Sequence, residues 1–143
     1  MWRSPLLMVV TLMLAVNCSP NERRLDFDDF YLLEQPAGLP PLYPEGFQMP
    51  DTRLLGVGVH GLERFTSSQE SIAVLESMAS PEEVSTYYTS LLDRLGWQII
   101  QSQNAPGRQV LMAESRAHRL ATIVIQGGGP VQIKLYLKNA ALQ

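Results

Sequence analysis

The stretch GVGVHG, residues 56–61, has the Gly-x-Gly-x-x-Gly spacing of a dinucleotide-binding loop. Glu76 stands 20 positions after Gly56, where such a loop would have its ribose-binding carboxylate. The motif also needs a helix that opens at its last glycine, but LERFTSSQE (62–70) is short and has no apolar stripe. Apolar residues instead alternate with Gly56, Gly58 and His60. This period of two predicts a strand whose glycines leave one face bare.

The other candidates for chemistry are equally isolated. His60 and His118 have no metal-ligand spacing to each other or to a pair of carboxylates. GGGP (127–130) lacks the Lys and Ser/Thr of a phosphate loop, and no Gly-x-Ser-x-Gly nucleophile motif occurs. Since no acid, base and nucleophile set can be assembled, we expect a protein that is not an enzyme and has no cofactor, metal or catalytic residue.

The N-terminus carries a targeting pattern. Arg3 precedes an uncharged apolar run of 11 residues (6–16), which suits a signal peptide and is too short to span a membrane. Cys18, the only cysteine, follows directly. LAVNC (14–18) resembles a bacterial lipobox, which implies that residues 1–17 are a signal peptide and that Cys18 is lipidated. Ordinary cleavage near this point, or an uncleaved anchor, is the alternative, because Asn17 stands where small residues are usual.

The lipobox resemblance also implies an address. Ser19 follows the cysteine in place of an Asp associated with inner-membrane retention. A lipid anchor in the outer membrane, facing the periplasm, is therefore the expected location.

Residues 18–50 are predicted to be an acidic, proline-rich tether. Residues 19–50 hold six acidic and two basic residues, whereas residues 51–143 hold eight of each. Prolines at 36, 40, 41, 44 and 50 favour an extended chain. No Lys/Arg cluster indicates a nucleic-acid partner.

An apolar patch interrupts the tether at LDFDDFYLL (25–33). One interpretation is that it folds back and packs on the domain. The other is a segment that docks a protein partner through Phe27, Phe30, Tyr31 and Leu33.

SPEEVSTYYTSLLDRLGW (80–97) predicts the one clear helix. Ser80 and Glu83 form a capping box around Pro81, and Gly96 suits the left-handed position after the helix. Apolar residues recur along a single helix face at positions 84, 87, 88, 91, 92 and 95.

Strands are predicted around this helix, at 54–60 and 71–77 before it and in a meander of four after it. The short turns between them permit hairpins and exclude parallel crossovers. The expected fold is an α+β domain over residues 51–143, with an antiparallel sheet of about five to six strands in ββαββββ order. One amphipathic helix packs on one face. The other face, with Leu120, Thr122, Val124, Lys134 and Tyr136, is more apolar than a solvated face requires.

LPPLYPEGFQMP followed by SPEEVSTYYTSLLDRLGWQ is similar to a module of small, mostly uncharacterised exported bacterial lipoproteins. The shared residues are structural, so the resemblance implies a fold and carries no catalytic residue over.

Two functions remain open. The first is a lipid-anchored, non-enzymatic accessory, scaffold or interaction subunit of a cell-envelope assembly, bound to the membrane through Cys18 and to a protein partner. The alternative is a small apolar-ligand or lipid-binding domain with a cleft between helix and sheet. Tyr87, Tyr88, Trp97 and Met112 are the candidate lining of that cleft.

Overall fold

The computed structural model describes residues 22–61 and 69–139, and this part of the chain forms one antiparallel sheet of eight strands with one helix on it. The strands lie side by side in the order β1-β2-β3-β4-β8-β7-β6-β5. Along the chain the elements are β1 Arg23–Asp26, β2 Phe30–Glu34, β3 Arg53–His60, β4 Glu70–Ser77, α1 Pro81–Arg94, β5 Gln98–Ala105, β6 Arg108–Glu114, β7 Leu120–Gln126 and β8 Val131–Lys138.

The prediction of five to six strands in ββαββββ order is wrong. Two further strands, β1 and β2, come from the apolar patch of the predicted tether and pair antiparallel with each other and with β3. The acidic residues of that patch lie mainly at its solvent side and in the turn, so they hid the alternation of Tyr31 and Leu33, which pack against the core. GVGVHG lies in β3 and the left-handed residue after it, Gly61.

Helix α1 begins and ends as its sequence predicts. The Ser80 hydroxyl accepts a hydrogen bond from the Glu83 amide at 3.2 Å, and the Ser80 amide donates to the Glu83 carboxylate at 2.8 Å. At the other end Gly96 has a φ of 69°, and the Trp97 amide donates to the Leu92 carbonyl at 2.9 Å. These contacts are a capping box and a Schellman motif.

Residues 35–50 form turns that cover the helix side of the sheet. Tyr43 and Phe47 are buried there, and the Phe47 ring lies 5.7 Å from the Trp97 ring. The Tyr88 hydroxyl donates to the Phe47 carbonyl at 2.9 Å, and the Tyr87 hydroxyl donates to the Gly46 carbonyl at 2.6 Å. Residues 22–50 of the predicted tether therefore contribute strands and core residues, and its prolines lie in turns.

Cys18 and the predicted signal peptide lie outside the described residues. Within residues 22–61 and 69–139, no helix is long and apolar enough to cross a membrane.

Candidate functional site: an apolar groove on the helix-free face

The sheet face opposite α1 carries an unbroken row of residues that lack a charge. Cross-strand partners point to the same face of a sheet, so the register places one residue from each of six adjacent strands side by side. We call these residues the apolar row: Leu32, Gly58, Ile72, Tyr136, Thr122 and Met112.

The apolar row is the floor of a groove of about 400 Å³. A flat sheet of six strands would be about 24 Å wide and would enclose no volume. Since the six adjacent strands β2, β3, β4, β8, β7 and β6 all line one groove, the sheet must curve around this face. The volume lies within the range of small-molecule sites, which is roughly 300–1,000 Å³.

Gly58 lets side chains of β2 and β4 approach each other on the groove floor. A Cβ atom at this position would lie 3.2 Å from Leu32 on one side and 3.2 Å from Ile72 on the other. The side chains of Leu32 and Ile72 therefore cover the glycine, which contributes only backbone to the floor. The bare face predicted for GVGVHG is thus covered by Ile72 of β4 and by Leu32 of β2, and Leu32 belongs to the segment 25–33.

One end of the groove is polar and electrically balanced. Glu70 and Lys138 line it as an ion pair of 2.8 Å. The hydrogen bond and the charge of Lys138 lower the pKa of the Glu70 carboxyl, so this exposed side chain is ionised at neutral pH. His60, also at this end, lies 3.2 Å from the Asp29 carboxylate.

The four residues predicted to dock a partner lie in three environments. Tyr31 and Leu33 pack against the core, whereas Phe30 lines the groove. Phe27 is 53% exposed and stacks on Phe30, with ring centroids 4.4 Å apart and 8° between the planes. The stacked pair extends the apolar surface beyond the groove at the β1–β2 turn.

The ligand cleft predicted between helix and sheet is filled. Tyr88 and Trp97 are buried in the core, and Tyr87 packs against it. Burial raises the pKa of Tyr87 and of Tyr88. Phe47 and Tyr43 occupy the space between α1 and the sheet. Of the four residues proposed for that cleft, Met112 alone lines the groove, and it does so on the opposite face.

Three of the five residues predicted for the helix-free face lie in the groove lining. Leu120, Thr122 and Tyr136 line the groove, whereas Val124 is buried outside it and Lys134 lies beyond its lining. The sequence assigned Phe30 to a partner-docking segment and singled out neither Leu32, because β2 was placed in a tether, nor Ile72. Burial alternates along β4, so every second residue from Glu70 onward faces away from the helix. This period of two was the signal that could have placed Ile72 on the groove face.

The groove is defined by its binding surface, because the described side chains that line it do not form a metal site. The described residues contain no group of three or more His, Cys, Asp or Glu side chains placed to hold a metal ion. His118 lies away from the groove in a turn, 2.7 Å from Glu114. Among the described lining residues, the polar side chains on this face are the Glu70–Lys138 ion pair, His60, Thr122 and Tyr136, whereas the Ser71 hydroxyl bonds Tyr43 on the other face. This arrangement suits holding an apolar molecule by one polar end.

A family described as START domain-like matches residues 62–134, just over half of the chain. The chain belongs to this START domain-like family. The matched range includes the groove strands β4, β6 and β7 and the first half of β8, whereas β2, β3 and the groove residues of β8 lie outside it. No curated protein and no solved structure matches the chain.

Proposed function

We propose that the domain binds a small, uncharged apolar molecule in the groove of the helix-free face, in a non-enzymatic role. The observation that carries the proposal is the apolar row, which crosses six adjacent strands of the groove without a charged side chain. Membership of a START domain-like family supports the same class of function.

The charges at the polar end favour an uncharged ligand. Lys138 is the one Lys or Arg side chain of the described groove lining, and Glu70 neutralises it at 2.8 Å. An anionic head group would have to displace Glu70 or accept its repulsion. An alcohol could instead exchange hydrogen bonds with Thr122 or Tyr136.

Titration of the full chain with dodecanol, followed by native mass spectrometry or calorimetry, tests the proposal. Ile72→Gln places an amide in the floor and is expected to weaken binding at least tenfold, or about 1.4 kcal/mol. Val74→Gln is the matched control, since Val74 is a half-buried residue of the same strand and face that lies outside the lining. No binding by the native chain, or equal losses in the two variants, would overturn the proposal.

We further propose that a lipid anchor at Cys18 holds this domain at the bacterial outer membrane. The support is the sequence LAVNC after an apolar run of 11 residues. Incorporation of labelled palmitate into the native chain tests the anchor, and Cys18→Ala is expected to abolish it while Ser19→Ala keeps it. An unlabelled native chain, or a Cys18→Ala protein that is still labelled, would contradict the anchor and leave the ligand proposal standing.

A further inference from the structure

The two edges of the sheet differ in a way that points to a partner. At one edge, β1 has four residues, and its Arg23 and Arg24 contact Glu34 and Asp26. Short, charged edge strands are a common protection against pairing with another chain. This edge therefore has the features of a sheet boundary.

The other edge, β5, has none of these charges. Its sequence QIIQSQNA contains no charged residue and no proline over eight residues. All eight residues are exposed, and no described element lies beyond β5 in the sheet. Its register against β6 shifts between Ile99 and Gln101, so the regular part of the edge is Gln101–Ala105. An edge strand leaves a row of backbone N–H and C=O groups without partners in the sheet.

Exposed apolar side chains lie at the start of β5, beside this edge. Leu95, Ile99 and Ile100 are 37%, 36% and 48% exposed, and they lie within six consecutive residues at the end of α1 and the start of β5. Their exposure supplies contact area beside the backbone groups, which strand pairing alone lacks.

We propose that β5 pairs with β5 of a second copy of this chain, antiparallel and about a two-fold axis. In such an isologous contact the strand meets itself, so its side chains must be self-complementary. Gln101, Gln103 and Asn104 carry amides, which both donate and accept hydrogen bonds, and Ser102 between them does the same. No register of the pair brings like charges together. The contact would join two eight-stranded sheets and leaves both grooves on their own faces.

Cross-linking in cells that produce the full chain tests the pairing directly. Ser102→Cys places a thiol in the middle of β5, where residues opposite each other have Cβ atoms about 4.5–5.5 Å apart. A short bis-maleimide is expected to give a homodimer with this variant. The unchanged chain measures the contribution of Cys18, its only cysteine, and Gln132→Cys on the interior strand β8 is the positional control.

Sedimentation of the purified full chain in density-matched detergent gives the second measurement. Gln103→Lys puts like charges near the two-fold axis and is expected to weaken dimerisation at least tenfold, whereas Gln132→Lys makes the same change away from β5 and leaves it unchanged. Thermal melts of both variants show whether the fold is kept. A native chain that stays monomeric, a dimer unaffected by Gln103→Lys, or absence of the Ser102→Cys cross-link would overturn the proposal. So would occupation of β5 by a different protein.

Discussion

The side chain of Leu32 closes over Gly58, so that a Cβ atom at Gly58 would lie 3.2 Å from Leu32 Cδ2. Ile72 Cγ2 approaches the same position at 3.2 Å from the other side. The glycine is therefore the point at which β2, β3 and β4 close together beneath the groove. Any side chain there must push its neighbours into the volume proposed for the ligand.

Gly58→Val is accordingly expected to weaken dodecanol binding at least tenfold, because the added methyl groups fill the floor of the groove. Calorimetry on the folded variant measures the change. Gly56→Val is the comparison: Gly56 lies on the same strand and face, but outside the groove lining, and its nearest atom is the Leu33 carbonyl oxygen at 3.3 Å. Binding that survives at Gly58 and fails at Gly56 would place the ligand elsewhere.

The Glu70–Lys138 pair is expected to set the charge preference for the proposed ligand. Glu70→Gln removes the carboxylate that neutralises Lys138, so we expect the affinity for dodecanoate to rise about threefold to tenfold while that for dodecanol changes less than twofold. The gain should diminish at high salt, since both side chains are about half exposed.

The control for this charge effect is Glu76→Gln on the same strand, where Glu76 contacts Arg53 at 2.9 Å outside the groove. A gain for dodecanoate that is equal in both variants would show that only the net charge of the protein changed.

The helix and the strands near it could be predicted because their signals are local. Capping residues sit three positions apart in Ser80 and Glu83, and the alternation of Val131, Ile133, Leu135 and Leu137 marks β8 directly. Each of these patterns is fixed by neighbours a few residues away.

Residues 23–50 could not be placed in the same way. Tyr43 contacts Ser71 and Leu135, which are 28 and 92 positions away, and nothing in the local sequence records those contacts. The prolines predicted an extended chain, whereas residues 35–50 form turns, and the burial of Tyr43 and Phe47 depends on a surface built by β4, β8 and α1. The groove was missed for the same reason, since its wall includes β2 and its floor needs six strands in register.

Burial of Tyr43 predicts a loss of stability in alkali. Desolvation raises the pKa of its hydroxyl from 10.0 to about 12, although the hydrogen bond with Ser71 opposes the shift. Above pH 10 the unfolded chain loses this proton while the folded chain keeps it, so stability falls until about pH 12. Two pH units correspond to a loss on the order of 3 kcal/mol.

Urea unfolding at pH 9 and pH 11.5 measures the alkaline effect. Tyr43→Phe is expected to be less stable at pH 9, because it loses the bonds to Ser71 and Leu135, but to lose less stability between the two values. Tyr136→Phe is the comparison at a tyrosine that is 42% exposed, and it should keep the native pH dependence. An unchanged pH dependence in Tyr43→Phe would contradict the assignment.

Phe47→Ala tests whether residues 35–50 are part of the core. Phe47 is 1% exposed and lies between the rings of Tyr43 and Trp97, at 6.2 and 5.7 Å. Removal of a buried phenyl ring typically lowers the free energy of unfolding by about 3–5 kcal/mol, because contacts are lost and a cavity remains. Phe27→Ala is the matched control, since Phe27 is 53% exposed, and we expect less than about 1 kcal/mol. An extended tether would instead make both substitutions neutral, and equal small effects in urea unfolding would restore that interpretation.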